Sequence, residues 1–104
     1  MKLLTKAHLD AFERIGKQDG AEAKVVVKFF TPWSGWTWYA TEWFPEDRVF
    51  FGYVRGFEEE YGYFSLDELE SVEGPAGLKV ERDMYYPIAE YDIADVQNKV
   101  GAAL

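Results

Sequence analysis

The sequence predicts an α+β fold, in which an antiparallel β-meander carries an N-terminal helix and a short second helix packed on the sheet. The length of 104 residues fits one domain. A content of 48% hydrophobic and 18% aromatic residues is high enough for a packed core. Apolar residues recur at helical spacing near the N-terminus and alternate with period two further on. We therefore expect a single domain over 1–104, with a core at 1–86 and a C-terminal tail or helix at 87–104.

The first element is an amphipathic helix over about residues 5 to 16. Thr5 is suited to the N-cap, and Gly16 is a natural stop. The loop that follows is polar, and KVVVKFF, 24–30, is rich enough in β-branched and aromatic residues to predict a strand. The apolar side of the helix consists of Leu4, Ala7, His8, Ala11, Phe12 and Ile15.

All four tryptophans lie in one stretch, TPWSGWTWYATEW, 31–43. Its first five residues predict a turn, because they include both proline and glycine. Alternation from Trp36 onward predicts a strand. That alternation assigns Trp36, Trp38, Ala40 and Glu42 to one face and Thr37, Tyr39, Thr41 and Trp43 to the other.

Three further segments complete the predicted core. RVFFGYVRG, 48–56, predicts the third strand, and its Gly52 predicts a bulge or a close backbone approach. YGYFS then leads into a short helix that Ser65 caps. LKVERDMYY, 78–86, predicts a later strand. The buried side of the short helix consists of Leu66, Leu69 and Val72.

The C-terminal tail allows two interpretations. Asp92 is suited to cap a helix that ends at Gly101. The same segment could instead fray or dock on a partner. The apolar face of such a helix would consist of Ile93, Val96 and Val100.

The net charge of −8 arises in the second half of the chain. Residues 1–48 carry seven basic and seven acidic side chains, whereas residues 49–104 carry four basic and twelve acidic ones. Between Gly56 and Leu78 there are seven acidic side chains and no basic one. Such a field repels nucleic acids and membranes and attracts basic partners. We therefore expect neither membrane association nor direct nucleic-acid binding.

The chain has no cysteine, which excludes thiolate nucleophiles, disulfides and the usual zinc sites. The N-terminal stretch turns polar at Thr5 and Lys6, too early for a signal peptide or a membrane span. His8 is the only histidine, and neither a nucleophile motif nor a phosphate-binding glycine loop occurs. These observations predict a cytoplasmic protein that needs no cofactor.

A series of short motifs runs through the middle of the chain. They are KFFTPWSGWTWYATEW with Pro32, Gly35, Thr37-Trp38 and Glu42, then Pro45-Glu46-Asp47, Phe51-Gly52, Glu60 with Gly62, Ser65-Leu66, Glu68-Leu69, Gly77-Leu78 and Glu81-Arg82-Asp83. In order and spacing this series resembles the domain of unknown function 2958, a family of bacterial and phage proteins often found on plasmids. The resemblance covers about residues 20 to 86. It implies a mobile-element habitat and no particular chemistry.

The acidic block fits either a solvated loop with the outer face of a short helix, or the contact surface of a non-catalytic protein-binding module, which is the function we predict. With the habitat that the resemblance implies, it suggests an inhibitor or DNA mimic that acts on a basic host protein, because spaced carboxylates can compete for a DNA-binding groove. Trp33 lies in a turn and is therefore the tryptophan best placed to anchor a partner. The expected contacts are Trp33, Phe57, Glu58, Glu59, Glu60, Asp67 and Glu70.

A metal-dependent nuclease or hydrolase is the first alternative. Alternation along the last strand places Glu81 and Asp83 on one face. With Glu42 they would offer oxygen ligands to Mg²⁺ or Mn²⁺, near Lys79. Arg82 between the two acids equally predicts an ion-paired strand edge, which we favour.

Single-stranded nucleic-acid binding through exposed tryptophans is the second alternative, because bases stack on aromatic side chains. Such binding also needs a positive groove, and the net charge of −8 argues against one. We favour core packing for Trp38, with Trp36 or Trp43 partly buried. The exposed edges of a short meander could also pair in a homodimer.

Overall fold

The structure, a computed structural model, describes residues 1–98 and contains one five-stranded sheet with helices packed on it. The strands are β1 (Val27–Phe30), β2 (Thr37–Phe44), β3 (Val49–Arg55), β4 (Glu59–Ser65) and β5 (Glu81–Arg82). The helices are α1 (Lys6–Ile15), α2 (Leu66–Ser71) and α3 (Ile93–Gln97), with short 3₁₀ turns at Gly20–Glu22 and Pro75–Gly77. Every strand pair is antiparallel, in the order β4-β3-β2-β1-β5. This arrangement confirms the predicted α+β fold.

α1 has the ends that the sequence predicts. The Thr5 hydroxyl accepts a hydrogen bond from the His8 amide, and His8 Nδ1 accepts one from the Thr5 amide at 3.2 Å. This reciprocal pair satisfies two amides that the helix itself leaves unpaired. At the other end Gly16 adopts a φ of 72°, a conformation that glycine adopts at little cost.

The strand expected over 78–86 is reduced to the two residues of β5. Asp83 ends it by forming a turn, in which its carboxylate accepts a hydrogen bond from the Tyr85 amide at 3.0 Å. The Asp83 carbonyl also accepts one from the Tyr86 amide at 3.2 Å. Aspartate side chains favour such turns over continued strand pairing.

The predicted C-terminal helix begins where expected. The Asp92 side chain accepts a hydrogen bond from the Asp95 amide at 2.8 Å, and α3 follows directly. The predicted contribution of Val100 and the predicted end at Gly101 lie outside the described residues.

A β-bulge interrupts the pairing of β2 with β3. Ala40 lies opposite Gly52, but Glu42 lies opposite Phe51, so Thr41 is an extra residue on β2. A Cβ atom at Gly52 would overlap the carbonyl oxygen of Tyr39. The prediction that Gly52 marks a bulge or a close backbone approach is therefore confirmed.

The bulge reverses the alternation that the sequence predicts for the end of β2. Trp43 packs against the ring of Phe50, with 4.7 Å between the centroids, in the same core cluster as Trp38. The prediction that Trp43 shares a face with Thr37 and Tyr39 is wrong, because one inserted residue moves each later side chain to the other face.

The sheet has two different faces. The helix-covered face packs against α1, α2 and the N-terminal residues Leu3 and Leu4, and it forms the main core. Its sheet residues are Val27, Phe29, Trp38, Ala40, Trp43, Phe50, Val54 and Phe64.

The other face, which we call the tyrosine face, is only partly covered. Tyr39 and Tyr53 lie beneath α3 and Tyr86 in a second, smaller core cluster. Towards the free edge of β4 the same face carries a row of rings that contact one another. These rings belong to Phe44, Phe51, Tyr61 and Tyr63.

Candidate functional site

Three of the four tryptophans meet at one end of the sheet, which we call the hairpin end. Here the β1–β2 connection, 31–36, lies beside the tight β3–β4 turn, 56–58. Trp33, Trp36 and Trp38 line an open groove of about 340 Å³, the tryptophan groove. Each of the three is partly buried, so each ring is held by the protein and keeps one side accessible.

Two glycines explain how the indole rings are held. The Trp33 ring lies against Gly74, and the Trp36 ring lies against Gly56. A Cβ atom at either glycine would overlap the ring that packs on it. Trp36 also stacks on Trp38, with centroids 5.9 Å apart and ring planes 27° apart. The groove is therefore a preformed surface in the described structure.

Polar contacts fix the turn that carries Trp33. The Ser34 amide donates to the Thr31 carbonyl at 3.2 Å, and the Thr31 amide donates to the Trp36 carbonyl at 3.1 Å. The hydroxyls of Thr31 and Ser34 also share a hydrogen bond. These contacts close the turn, so the positions of Trp33 and Trp36 depend on each other.

Phe57 projects from the β3–β4 turn beside the groove. Its ring meets the Trp36 ring edge to face, with centroids 5.6 Å apart and planes at 83°, and yet the residue is 95% exposed. An apolar ring this exposed next to an aromatic groove is typical of a contact surface.

Carboxylates flank this aromatic surface. Glu58 and Glu60 are exposed, and within residues 1–98 neither takes part in an ion pair. Glu60 lies on the helix-covered face, as Trp38 does. Glu60 pairs with Val54, and Val54 pairs with Trp38, so two strand spacings, or roughly 10 Å, separate Glu60 from Trp38. Glu59 points to the tyrosine face, where it accepts hydrogen bonds from the Tyr53 hydroxyl and from Arg55 Nε, both at 3.0 Å.

Asp67 and Glu70 lie at the opposite end of the sheet. Both carboxylates bind Arg48, at 2.9 and 3.4 Å. β3, which runs between the two ends, is about 20 Å long. The structure thus places Trp33, Phe57, Glu58 and Glu60 at the hairpin end and Asp67 and Glu70 at the opposite end.

The carboxylates of the metal-site alternative do not converge. Glu81 pairs with Phe30, and Phe30 pairs with Thr37 at the start of β2. Glu42 lies five residues further along that strand, so it is roughly 15 Å away in the strand direction. Among residues 1–98 no three His, Asp or Glu side chains are grouped to hold a metal ion.

Asp83 instead forms an ion pair with Lys28, whose Nζ lies 3.5 Å from the carboxylate. The same ammonium group lies 5.8 Å from the Tyr39 ring centroid and 5.6 Å from that of Tyr86. Burial raises the pKa of the Tyr86 hydroxyl, which has no hydrogen-bond partner in the described part of the chain. This arrangement anchors the turn after β5.

The role of Arg55 was not predicted from the sequence. Its Nη2 donates to the Val96 carbonyl at 2.7 Å, so it ties α3 to the sheet. It also contacts the Tyr39 hydroxyl, at 3.4 Å, and Glu59. These partners lie between 4 and 41 residues from Arg55 in the sequence. Only Glu59 is close enough in sequence for its contact with Arg55 to be predicted from local spacing.

The exposed rings of the tyrosine face were also missed. Tyr61 is 41% and Tyr63 is 71% exposed, and both contact the ring of Phe51 at 6.4 and 4.9 Å between centroids. The alternation in the sequence YGYFS is the signal that could have identified β4 and this ring row.

The chain matches one known protein family over nearly its whole length. No helix within residues 1–98 is long and apolar enough to cross a membrane. Neither a curated protein nor a solved structure matches the chain. The model of the family described as "Protein of unknown function (DUF2958)" matches residues 2–99, which includes the C-terminal segment beyond the motifs noted above. The chain therefore belongs to the DUF2958 family.

Proposed function

We propose that the protein is a non-catalytic binding module that holds a basic partner protein at its hairpin end. The observation that carries this proposal is the proximity of the tryptophan groove and Phe57 to Glu58 and Glu60. Tryptophan is one of the residue types enriched among those that dominate binding energy at protein interfaces. Exposed carboxylates beside it favour a positively charged partner.

An arginine or lysine side chain of the partner has two favourable contacts here. A cation over an indole face gains about 0.5–2 kcal/mol, depending on how far it is desolvated. A guanidinium group can in addition form paired hydrogen bonds with a carboxylate. Because the indole rings are already packed, little ordering of the site opposes binding.

The habitat implied by the resemblance to plasmid and phage proteins suggests which partner to test first. A host protein that handles DNA presents a basic groove, and a small acidic protein of a mobile element would inhibit it by occupying that groove. In this proposal the mimicry of DNA rests on Glu58 and Glu60. Asp67 and Glu70 contribute less, since Arg48 offsets their charge.

Single-stranded nucleic acid is a weaker candidate for the tryptophan groove. Backbone charge supplies most of the affinity in such complexes, and it requires a positive track along the groove. Lys28 and Arg55 lie on the tyrosine face and already bind Asp83 and Glu59. Among residues 1–98, the side chains that line the groove carry no positive charge: they are Thr31, Trp33, Ser34, Trp36, Trp38 and Val72.

The proposal is tested by capture followed by a defined binding measurement. Tagged protein is incubated with host lysate at low salt and eluted with high salt, and both proteins and nucleic acids are identified. Each captured protein is then purified, and its affinity is measured by calorimetry. We expect a basic protein whose affinity falls as salt screens the charges.

Two charge-reversal variants of equal charge change make the measurement specific to the site. Glu58→Lys with Glu60→Lys removes the carboxylates of the hairpin end and spares Glu59, which holds Arg55. Asp67→Lys with Glu70→Lys is the matched control at the opposite end. Loss of binding only in the first variant supports the proposal, whereas equal loss in both, or capture of nucleic acid alone, contradicts it.

A further inference from the structure

The two edges of the sheet are protected to different degrees. β5 has two residues, and the N-terminal segment covers its outer side: the Arg82 amide contacts Met1 Sδ at 3.2 Å, and its guanidinium group donates to the Lys2 carbonyl. β4 has seven residues, and no other element within residues 1–98 pairs with its outer side. A long open edge is a template for a further strand.

The hydrogen bonds flanking β4 reveal which of its backbone groups face outward. The Leu66 amide donates to the Arg48 carbonyl at 3.0 Å, and the Gly56 amide donates to the Glu58 carbonyl at 3.0 Å. Bonded and non-bonded pairs alternate along an antiparallel ladder, so the even-numbered residues of β4 bond to β3. The outward amides and carbonyls therefore belong to Glu59, Tyr61, Tyr63 and Ser65.

We propose that β4 pairs with β4 of a second copy of this chain, antiparallel and with Gly62 on the two-fold axis. In this register Tyr61 of one copy lies opposite Tyr63 of the other. Glu59 lies opposite Ser65 of the other copy. All four outward residues of each strand then form bonded pairs, and two five-stranded sheets join into one of ten strands.

The tyrosine side chains support this register. Tyr61 and Tyr63 both project from the tyrosine face, where they already contact Phe51. Pairing places each of them beside the other tyrosine of the second copy, and such cross-strand aromatic pairs are favourable. The exposed ring row of one copy then continues directly into that of the other.

The charges on β4 select the same register. It places Glu60 opposite Phe64 of the second copy, so neither glutamate of the strand faces a like charge. Shifting the axis to Glu60 would place the two Glu60 side chains opposite each other, and like charges in that position are destabilising. Shifting it to Tyr61 would leave Ser65 without a partner.

A cysteine placed on the axis tests this pairing directly, since the chain has no cysteine of its own. A side chain at Gly62 meets nothing within 4 Å, and the same is true at Gly35 in the β1–β2 connection. In the proposed dimer the two copies of position 62 form a non-bonded pair with about 4.5 Å between Cα atoms, which is within the range that a disulfide spans. Gly62→Cys should therefore cross-link under mild oxidation, and Gly35→Cys should not.

Sedimentation of the unmodified protein provides the second measurement. We expect the mass to rise from 12.0 kDa towards twice that value as concentration increases. High salt should favour the dimer, because it screens the repulsion between two chains of net charge −8. High salt should thus strengthen the dimer, whereas it should weaken binding of a basic partner at the hairpin end. The failure of one proposal can therefore be distinguished from the failure of the other.

Substitutions at Gly62 separate the pairing from the stability of the single chain. Gly62→Lys places two ammonium groups opposite each other across the axis and should abolish the dimer, whereas Gly62→Ala should retain it. A protein that stays monomeric at every concentration and salt level overturns the proposal. It is equally overturned if Gly62→Cys cross-links no faster than Gly35→Cys, as would occur if the edge pairs with a peptide of another protein instead.

Discussion

The helix-covered face and the tyrosine face share the central strands of the sheet, yet their side chains interact in different ways. On the helix-covered face, Phe50 alone packs against four rings, those of Phe12, Phe29, Trp43 and Phe64, at centroid distances of 4.7 to 6.0 Å. On the tyrosine face, Arg55 contacts the Tyr39 hydroxyl, Glu59 and the backbone of α3.

This difference indicates which part of the molecule supplies stability. Apolar area removed from water contributes roughly 25 cal/mol per Å², and the larger apolar cluster lies under α1 and α2. A hydrogen bond contributes less in net terms, about 0.5–1.5 kcal/mol, although leaving a buried partner unpaired costs more. We therefore expect the main core to determine global stability and the tyrosine face to determine whether α3 stays docked.

The largest expected effect follows from Phe50→Ala, which removes the ring at the centre of the helix-covered face. Large-to-small substitution of a buried phenylalanine costs about 3–5 kcal/mol, and Phe50 is fully buried. Urea denaturation measures the free energy of unfolding. Phe51→Ala is the matched control on the tyrosine face and should cost clearly less; equal losses would show that the two faces contribute alike.

Arg55→Met should have the next largest effect and should act mainly on α3. It removes the donor to the Val96 carbonyl and leaves the Glu59 carboxylate without its guanidinium partner. Hydrogen bonds to charged groups contribute about 1.5–3 kcal/mol. Amide hydrogen exchange should rise at Asn98, which bonds to the Ala94 carbonyl at 2.9 Å, before it rises in α1. Uniform acceleration of exchange would contradict a local role.

His8→Gln should change how stability depends on pH. Burial, together with the positive charge of Arg82, lowers the pKa of His8 below 6.5 in the folded protein. The unfolded chain therefore binds a proton at His8 more readily than the folded protein does. The free energy of unfolding is accordingly greatest above pH 6.5 with respect to this group, and it decreases as pH drops below that value. Glutamine can accept the same hydrogen bond from Thr5 without titrating.

The pH dependence is measured by denaturation at several pH values between 5 and 8. The unmodified protein should lose stability as pH falls from 6.5 towards 5, because the unfolded chain then binds a proton that buried His8 does not. The variant should lack the part of this loss that lies between pH 6.5 and 5. If the variant and the unmodified protein show the same dependence of stability on pH, another titrating group is responsible for the loss of stability.

The smallest expected effect on the single chain follows from Tyr63→Ser. The side chain is 71% exposed, and substitutions at such positions usually change stability by less than about 0.5 kcal/mol. Denaturation at a concentration at which sedimentation shows the chain to be monomeric should show no more than this. A larger loss would mean that the exposed ring row stabilises the tyrosine face within one copy.

Local signals were sufficient to predict several elements. Thr5 and Gly16 define both ends of α1, and Ser65 and Asp92 begin the two short helices. In each case the cap and the amide it satisfies are within a few residues of each other, so the sequence contains the whole interaction.

Other features depend on contacts that the sequence does not reveal. Alternation continues unbroken through Thr41, and only the register against Gly52 and Phe51 shows the extra residue. The acidic block is continuous in sequence, yet the fold turns Glu59 towards Arg55 and brings Asp67 to Arg48. Which carboxylates stay available to a partner therefore follows from tertiary pairing.

We expect the stacked pair of Trp36 and Trp38 to give this protein an optical signal. Two indole groups with centroids 5.9 Å apart are close enough for their electronic transitions to couple. We expect such coupling to produce a paired positive and negative band in the far-ultraviolet circular dichroism spectrum. Its loss would report a rearrangement of the hairpin end without any attached label, even where the helical signal is unchanged.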